Sequence, residues 1–361
     1  MSFERASELI EVPWKPEAPK VAANELMKPT RTSTADEELL ERMYVLSASE
    51  ALDKLKTVTD VPPHIKLYIK LLSDDYEKYS KPGFELVPDA HELVTLTSEG
   101  RQKAIAEIRE STKNTPLFPA IEAAWRVSSN IVDIAEGRLD FLKLLLPDLL
   151  LPRFHEWAND RTELGPLFST LAKSKPGLKV LEIGSGFGGT TTRALKGFKS
   201  EEGKGYDSYT WTDINPMFVK TAEQRFAANE AMDFRLLDIG KDPKEQGFEE
   251  GAYDLILASN VLHAVPRLDD TLEYTRKLLK PDGVLFLQEM CPPGKYLDFI
   301  VALHPVWWIG VQDARPNGAR ISVDEWETRL RKAGFSGIDA LVLDNRPPWY
   351  YNANMLTRPS A

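Results

Sequence analysis

The chain has 361 residues, with 55 acidic against 45 basic side chains and a formal net charge of -10. This charge disfavours nonspecific attraction to nucleic acid or anionic lipid, so we expect neither as a partner. Hydrophobic residues make up 42% and charged residues 28%, values typical of a folded globular protein. The length allows one catalytic domain with a sizeable extension.

Cysteine content and the distribution of apolar residues indicate the cellular compartment and the absence of a membrane span. The single cysteine, Cys291, cannot form an internal disulfide, and the start MSFERASELIEVPW lacks the charged-then-apolar layout of a secretory signal. The most apolar stretch, Phe141 to Leu151, is too short to cross a bilayer, and Pro147 and Asp148 interrupt it. We therefore expect a cytoplasmic protein without a membrane span.

Two segments come before the first predicted strand. Residues 1–33 are rich in Pro, Lys and Glu and predict an arm that either docks on the body or stays mobile. Residues 34–160 predict a helical subdomain, because apolar residues recur at spacings of three and four in ADEELLERMYVLSASEALDKL. We expect this subdomain to form a lid over the carboxyl edge of the following sheet and to line the ligand pocket. The alternative is a helical appendage on the far side of the sheet.

From residue 161 to 361, short aliphatic or β-branched runs alternate with helical segments, which is typical of a βαβ sheet. The predicted strands are 178–184, 209–214, 233–239, 253–259 and 283–289, followed by the segments GIDALVLD and NANMLTRP. Most of the first five runs are almost continuously apolar, as parallel strands buried on both faces are. The predicted fold class is therefore α/β, with a Rossmann-like seven-stranded sheet and an N-terminal helical lid.

Polar residues close these strands, where ligands bind in an open α/β sheet. They are Glu182, Asp213, Asp238, Ser259 with Asn260, and Glu289. Any one of them is explained by a solvated loop. Five together indicate a binding crevice.

The loop after the first strand, Gly184 to Gly189, lacks side chains where a ligand comes close to a helix N-terminus. It formally matches G-x-G-x-x-G, so a nicotinamide dehydrogenase is an alternative. Asp213 lies 29 residues after Gly184 and suits the ribose hydroxyls of either cofactor. Glu182 discriminates, because an acid before the first glycine attracts the ammonium group of a methionine moiety and repels a pyrophosphate.

Five segments resemble, in order and spacing, the motifs of class I S-adenosylmethionine-dependent methyltransferases. They are VLEIGSGFGGTT, YTWTDIN, FRLLDIGKDPKEQGF, YDLILASNVLHAV and LLKPDGVLFLQE. The likeness is greatest to the C-methyltransferase domains embedded in fungal highly reducing polyketide synthases, and it covers residues 140–340 well and the earlier helices loosely. It implies a class I methyltransferase core, S-adenosylmethionine as the cofactor, and a polyketide-like small molecule methylated on carbon or oxygen.

The resemblance also implies roles for individual residues. Glu182, Gly184 and Gly186 would hold the methionine end, Asp213 the ribose, Asp238 with Ile239 the adenine, and Asn260 the loop beside the sulfonium. Ser185 and Ile214, next to these residues, complete the expected cofactor contacts. No metal site is expected.

The catalytic His and Glu of that family correspond to His263 and Glu289. These residues follow or close two strands that we expect to be neighbours, so both side chains would face one crevice. An imidazole is a suitable base near neutral pH, and a carboxylate on its far nitrogen fixes the tautomer. The alternative is a histidine that caps a helix or packs in the core.

The expected acceptor chamber departs from the family. A tyrosine-bearing segment precedes the first strand there, whereas this chain reads LPRFHEWAND, so Phe154 or Trp157 takes that place without the hydroxyl. Trp307 and Trp308 are expected to form an apolar wall, although tryptophans at such positions are as often core residues.

We expect the predicted methyltransferase to stand alone, without a ketosynthase or carrier domain, so that the acceptor either diffuses in or is delivered by a carrier protein. Two other functions stay open from the sequence. One is a rearrangement assisted by bound cofactor. The other is a cofactor-binding regulator without turnover.

Overall fold

The computed structural model describes residues 9–15, 17–31, 33–199 and 203–360. Within these ranges the central sheet has seven strands, and this confirms the predicted α/β class. The strands are β1 Leu178–Ile183, β2 Tyr206–Asp213, β3 Met232–Leu236, β4 Tyr253–Ser259, β5 Leu279–Met290, β6 Ala340–Leu343 and β7 Asn352–Thr357. Their order across the sheet is β6-β7-β5-β4-β1-β2-β3, and β7 runs antiparallel to both neighbours.

Helices precede, cover and connect these strands. They are α1 Ala23–Leu26, α2 Thr34–Leu55, α3 Pro63–Tyr79, α4 Ala90–Leu93, α5 Ser98–Thr112, α6 Phe118–Ser129, α7 Ile131–Ala135, α8 Phe141–Leu145, α9 Leu150–Asn159, α10 Gly165–Ser174, α11 Gly189–Phe198, α12 Pro216–Arg225, α13 Leu268–Leu278, α14 Tyr296–Val301 and α15 Val323–Lys332. The long helix α2 begins where the Ser33 hydroxyl accepts the Asp36 backbone N–H at 3.2 Å, which satisfies a donor that the helix leaves free.

The third strand ends earlier than the sequence predicts. β3 stops at Leu236, so Asp238 lies in the loop beyond it. The Asp238 backbone N–H donates to the Gln246 side-chain oxygen, and its carbonyl accepts from the Gln246 amide, both at 2.9 Å. A side chain therefore takes the place of a strand partner, which no alternation pattern reveals.

Both faces of the sheet are covered by helices. On one face, Phe168 of α10 and Phe198 of α11 pack with Trp211 of β2. On the other face, Leu272 of α13 and Trp326 of α15 pack over the apolar side chains of β4 and β5. This double burial explains why β4 is apolar along most of its length.

Helices α2 to α9 form a separate layer with one hydrophobic core. Residues from the second half of the chain complete that core, notably Tyr296 and Phe299 of α14 together with Trp307 and Trp308. The helical layer is therefore built from both halves of the sequence.

The last turn of α9 lies on the carboxyl edge of the sheet. The Asn159 carbonyl accepts from Gln288 of β5 at 2.9 Å and from Arg193 of α11 at 3.2 Å. The Ala158 carbonyl accepts from the Asn352 side chain at 2.8 Å. These bonds satisfy carbonyls that every helix leaves unpaired at its end. The helical layer thus meets the sheet at its carboxyl edge.

The described part of the N-terminal arm is docked on the body. Leu9–Ile10 pairs with Val21–Ala22, and Lys28–Pro29 pairs with Thr162–Glu163 ahead of α10. The Trp14 indole donates to the Asp282 carbonyl at 2.7 Å. Of the two alternatives for this arm, docking holds for these residues, while positions 1–8, 16 and 32 lie outside the described residues.

A buried ionic cluster joins the helical layer to the sheet. The Arg161 side chain is fully buried and donates to Glu37 of α2 at 2.5 Å and to Asp344, which follows β6, at 2.6 Å. Burial raises the pKa of Glu37, and the neighbouring Arg161 opposes that rise. The ion pairs hold two carboxylates that would be costly to bury alone.

No helix in the described part of the chain is long and apolar enough to cross a membrane.

Replacing Arg161 with Met should lower the free energy of unfolding by about 3 to 5 kcal/mol, because two buried carboxylates lose their partner. Urea denaturation followed by circular dichroism measures the change. The control is Arg267→Met, which removes an exposed ion pair with Asp270 and should leave the unfolding midpoint unchanged. Equal midpoints for the Arg161 variant and the unaltered protein would contradict the role given to this cluster.

Candidate active site

Two glycines of the loop after β1 have different structural roles. At Gly184, with φ 61°, an added Cβ would lie 2.2 Å from Val261, so only glycine lets the loops after β1 and β4 pack together. At Gly186, with φ 52°, the nearest atom to an added Cβ is 4.0 Å away. Protein atoms therefore leave room above Gly186 for a ligand.

Asp213 anchors the same loop. Its carboxylate accepts the Gly186 backbone N–H at 2.9 Å on one oxygen and the Asn215 N–H at 2.8 Å on the other. Each oxygen keeps further acceptor capacity. The structure thus brings Gly186 and Asp213 together at the carboxyl ends of adjacent strands.

Glu182 lies at the base of the crevice with Ser185 close by. One Glu182 carboxylate oxygen accepts the hydroxyls of Thr191 and Tyr209, both at 2.6 Å. Burial raises the pKa of Glu182 to about 7, and these hydrogen bonds oppose the rise. Ser185 is also buried and donates to the Thr212 carbonyl at 3.1 Å. Two buried hydroxyls, those of Thr191 and Tyr209, therefore hold the Glu182 carboxylate, and sequence reasoning missed both.

Asp238 and Ile239, predicted near the adenine, lie in the loop after β3, and Ile214, predicted to contact the cofactor, follows β2. The Asp238 carboxylate accepts the Gly240 N–H at 3.1 Å and pairs with Lys241 at 2.8 Å. Ile239 is buried in the core below, whereas Ile214 is 66% exposed and Leu236 is 53% exposed. Ile214 follows β2 and Leu236 closes the adjacent β3. A ligand with an apolar face would remove both side chains from water.

Asn260 carries an unpaired oxygen at the end of β4. Its backbone adopts φ 51°, a conformation that Asn tolerates better than most residues. The side-chain amide donates to Asn159 at 2.5 Å and to Asn352 at 3.0 Å. The side-chain oxygen is buried and has no hydrogen-bond partner among the residues described. A donor from a bound ligand would satisfy it.

His263 and Glu289 form a buried pair on adjacent strand ends. The imidazole Nδ1 lies 2.5 Å from one Glu289 oxygen, and the other oxygen accepts the Leu262 backbone N–H at 2.8 Å. His263 lies in the short turn after β4, and Glu289 lies in β5. With the carboxylate ionised, Nδ1 carries the proton and Nε2 is left as an acceptor.

The four residues predicted to line the acceptor pocket all belong to the core of the helical layer. Trp307 lies edge-on to His263, with ring centroids 6.2 Å apart. Phe154 stacks on Trp157 at 5.9 Å, and both are almost completely buried. Trp308 donates its indole N–H to the Ala302 carbonyl at 2.8 Å. Of the four, Trp307 is the one that the structure places against the predicted base.

Two further residues of α9 reach the crevice. The His155 ring lies 5.5 Å from the Phe187 ring in the glycine-rich loop. The Asn159 side chain orients the Asn260 amide, as described above. From the sequence, His155 ranks below His263 as a residue that borders the pocket, and Asn159 is missed. Each contact joins residues more than thirty positions apart, and no local pattern encodes such a pairing.

The family described as "Methyltransferase domain" matches residues 181–285. The methyltransferase calH of Penicillium decumbens is 47% identical over 353 residues, which cover 98% of this chain and 96% of that protein. A crystal structure of the trans-methyltransferase CalH in complex with SAH has a TM-score of 0.91 at 47% identity, and the match covers 98% of this chain and 99% of that one.

The chain is also similar to part of a larger synthase and, in fold, to a less similar methyltransferase domain. The squalestatin hexaketide synthase of Phoma sp. is 41% identical over 338 residues, which are 93% of this chain but 13% of that synthase. The CMeT domain of the citrinin polyketide synthase has a TM-score of 0.71 at 20% identity over 89% of each chain, which shows a shared fold.

Glu182→Gln should change how stability depends on pH. The folded carboxyl has a pKa of about 7 against an ordinary value of 4.5, so between these values the folded state holds a proton that the unfolded state has lost. Stability contributed by this group is therefore present at low pH and lost as the pH rises through 7. The glutamine variant should be more stable than the unaltered protein by about 1 to 3 kcal/mol near pH 8, and similar to it near pH 5.

Urea denaturation at several pH values provides the measurement, with Glu163→Gln as a control on an exposed side chain. Parallel pH curves for the Glu182 variant and the unaltered protein would show that this carboxyl does not titrate in the expected range.

Proposed function

The chain belongs to the methyltransferase family that includes calH, and from this premise we propose that it transfers a methyl group from S-adenosylmethionine to carbon or oxygen of a polyketide-like acceptor. The observation that carries the proposal is the buried His263–Glu289 pair beside Trp307 at the carboxyl edge of the sheet. A positioned base, a carboxylate behind it and an apolar wall are what methylation of a weakly acidic carbon or hydroxyl requires.

The crevice residues fit the cofactor. Asp213 retains acceptor capacity on both oxygens for ribose hydroxyls, and the space above Gly186 allows close approach of the ligand. Glu182, Gly184 and Ser185 would surround the methionine end. The unpaired Asn260 oxygen offers an acceptor near the sulfonium. When bound, the cofactor supplies an electrophilic methyl group.

Asp238, Ile239 and Ile214 would complete the adenine and ribose contacts. Asp238 presents a partly exposed carboxylate held by its own loop, and the exposed Ile214, which follows the adjacent strand, offers an apolar surface. A planar, largely apolar base with polar edges matches this combination.

His263 acts as the base in this proposal. Its Nε2 removes the acceptor proton as the new bond to the methyl carbon forms and the bond from sulfur to that carbon breaks. Glu289 holds the imidazole through Nδ1 and stabilises the imidazolium that results. Because the Leu262 backbone N–H holds the second oxygen of Glu289, the carboxylate stays in place during proton transfer.

The acceptor would bind under the helical layer. Phe154, Trp157, Trp307 and Trp308 provide the apolar wall that we expect for a polyketide chain. In the Phoma synthase the matching segment is part of a much longer protein. We propose that the acceptor of this chain reaches the pocket either free or as a thioester on a carrier protein.

A transfer experiment tests this function. The protein is incubated with S-adenosylmethionine carrying a 13C-labelled methyl group and with β-ketoacyl thioesters, either free or attached to a carrier protein. The expected product has gained one methylene in mass, and NMR locates the label on carbon or oxygen. A rearranged product without label would favour a cofactor-assisted rearrangement. Cofactor binding without any product from either form of acceptor would favour a regulator.

His263→Ala should lower kcat by roughly 100-fold or more, the usual scale of a positioned base, and leave the affinity for S-adenosylhomocysteine nearly unchanged. Glu289→Gln should lower kcat less, because the imidazole remains. His64→Ala, which changes a histidine of α3 outside the crevice, serves as the control. Steady-state kinetics near pH 7 and titration calorimetry measure both quantities. Turnover at the wild-type rate in His263→Ala would remove the base assignment.

A further inference from the structure

A partly exposed segment lies against the turn that carries His263. We call residues 305–318 the strap. It contains two short helical turns, Pro305–Trp308 and Val311–Asp313. Trp307 of the strap contacts the His263 ring, as described above. A second strap residue, Arg315, is 2% exposed and contacts the same turn from its backbone side.

Arg315 brackets the His263 turn. One terminal nitrogen of its guanidinium donates to the His263 carbonyl at 2.6 Å, and the other donates to the Val265 carbonyl at 2.5 Å. Only a planar fork of donors reaches two carbonyls in this way, and a lysine ammonium lacks that geometry. The guanidinium therefore holds the backbone on both sides of Ala264.

The strap itself is tied down. Arg315 pairs with Asp313 at 3.2 Å, and Asp313 also accepts the Leu268 backbone N–H at 3.0 Å, at the start of α13. At Gly310, an added Cβ would lie 2.3 Å from the Arg315 guanidinium, so glycine is required for Arg315 to lie where it does. Through Asp313 and Arg315, the strap therefore connects the start of α13 to the His263 turn.

A three-residue helical turn has little hydrogen bonding of its own to fix its orientation. The turn Leu262–Ala264 is of this kind. Its orientation has to come from outside, and two groups supply it: Glu289 on the imidazole and on the Leu262 N–H, and Arg315 on the carbonyls. An error of about 1 Å in the placement of a catalytic group can cost about 100-fold in rate.

We propose that Arg315 is a positioning residue for the His263 base. It acts through the backbone of the turn and keeps the imidazole on Glu289, with Nε2 directed to the acceptor. This inference depends on the proposed function of His263, and it adds a residue that no cofactor or acceptor contact would identify.

The test compares Arg315→Met with Arg315→Lys. Methionine keeps much of the side-chain volume but removes the donors and the charge, so kcat should fall by about 10-fold or more while the KM for S-adenosylmethionine stays within about twofold. Lysine can hold one carbonyl and should give an intermediate kcat. A residue with a purely structural role would not produce this split between kcat and KM.

Arg101→Met is the matched control. Arg101 is also buried and donates to the Leu96 carbonyl and to Glu50, but it belongs to α5 in the helical layer, which it joins to α2. Its replacement should lower the melting temperature and leave kcat per folded molecule unchanged. This comparison separates loss of a buried arginine from loss of the contact with the His263 turn.

Combination with His263→Ala provides the decisive comparison. If Arg315 acts through His263, adding Arg315→Met to His263→Ala should lower kcat by less than about twofold further. Equal losses in both backgrounds, or a wild-type kcat for folded Arg315→Met, would overturn the positioning role. If Arg315→Met does not fold, Arg315→Lys carries the same comparison. Unchanged turnover in His263→Ala alone would instead overturn the proposed base.

Discussion

The carbonyls at the end of α9 need hydrogen-bond donors, and the side chains that supply them come from the ligand-binding edge of the sheet. Gln288, Asn352 and Arg193 reach these carbonyls, while Asn260 reaches the Asn159 side chain. The requirement is general, because the last turn of every helix leaves carbonyls unpaired. In this protein, these hydrogen bonds join the end of α9 to Asn260, which follows β4, and to α11, the helix after the glycine-rich loop. The geometry of the crevice depends on that junction.

A second consequence of this junction concerns Asn260. Its amide donates to Asn159 of α9 and to Asn352 of β7, and its oxygen has no hydrogen-bond partner in the part of the chain that the structure describes. A buried acceptor without a partner is costly, and a bound ligand that donates to it recovers that cost. Folding of the helical layer onto the sheet therefore fixes the Asn260 amide and leaves its oxygen as a free acceptor among the residues described. The ionic cluster around Arg161 holds the same two layers together through Glu37 and Asp344, and Asn352 connects it to the end of α9.

The seven-stranded fold and most strand ends could be predicted, because parallel strands buried on both faces are apolar and end abruptly at polar residues such as Asp213 and Glu289. The proximity of His263 and Glu289 followed from the same reasoning and is found in the structure. The predicted end of β3 was wrong, because the backbone at Asp238 bonds to the Gln246 side chain and not to a neighbouring strand. The contacts of Tyr209 with Glu182 and of Arg315 with the His263 turn join distant parts of the chain, and a single sequence carries no local signal for them. The proposed roles in binding and catalysis stay predictions.

The core shared by α2 to α9 and α14 bears on how this protein relates to larger synthases. Tyr296, Phe299 and Trp307 come from the second half of the chain but are buried among helices of the first half. Cutting the chain between the helical layer and the sheet would expose these large apolar side chains to water. The helical layer and the sheet therefore form one folding unit. The match to the Phoma synthase accordingly extends over 93% of this chain, well beyond the sheet alone. Gene fusion or fission that moved such an activity between proteins would have to carry both layers together.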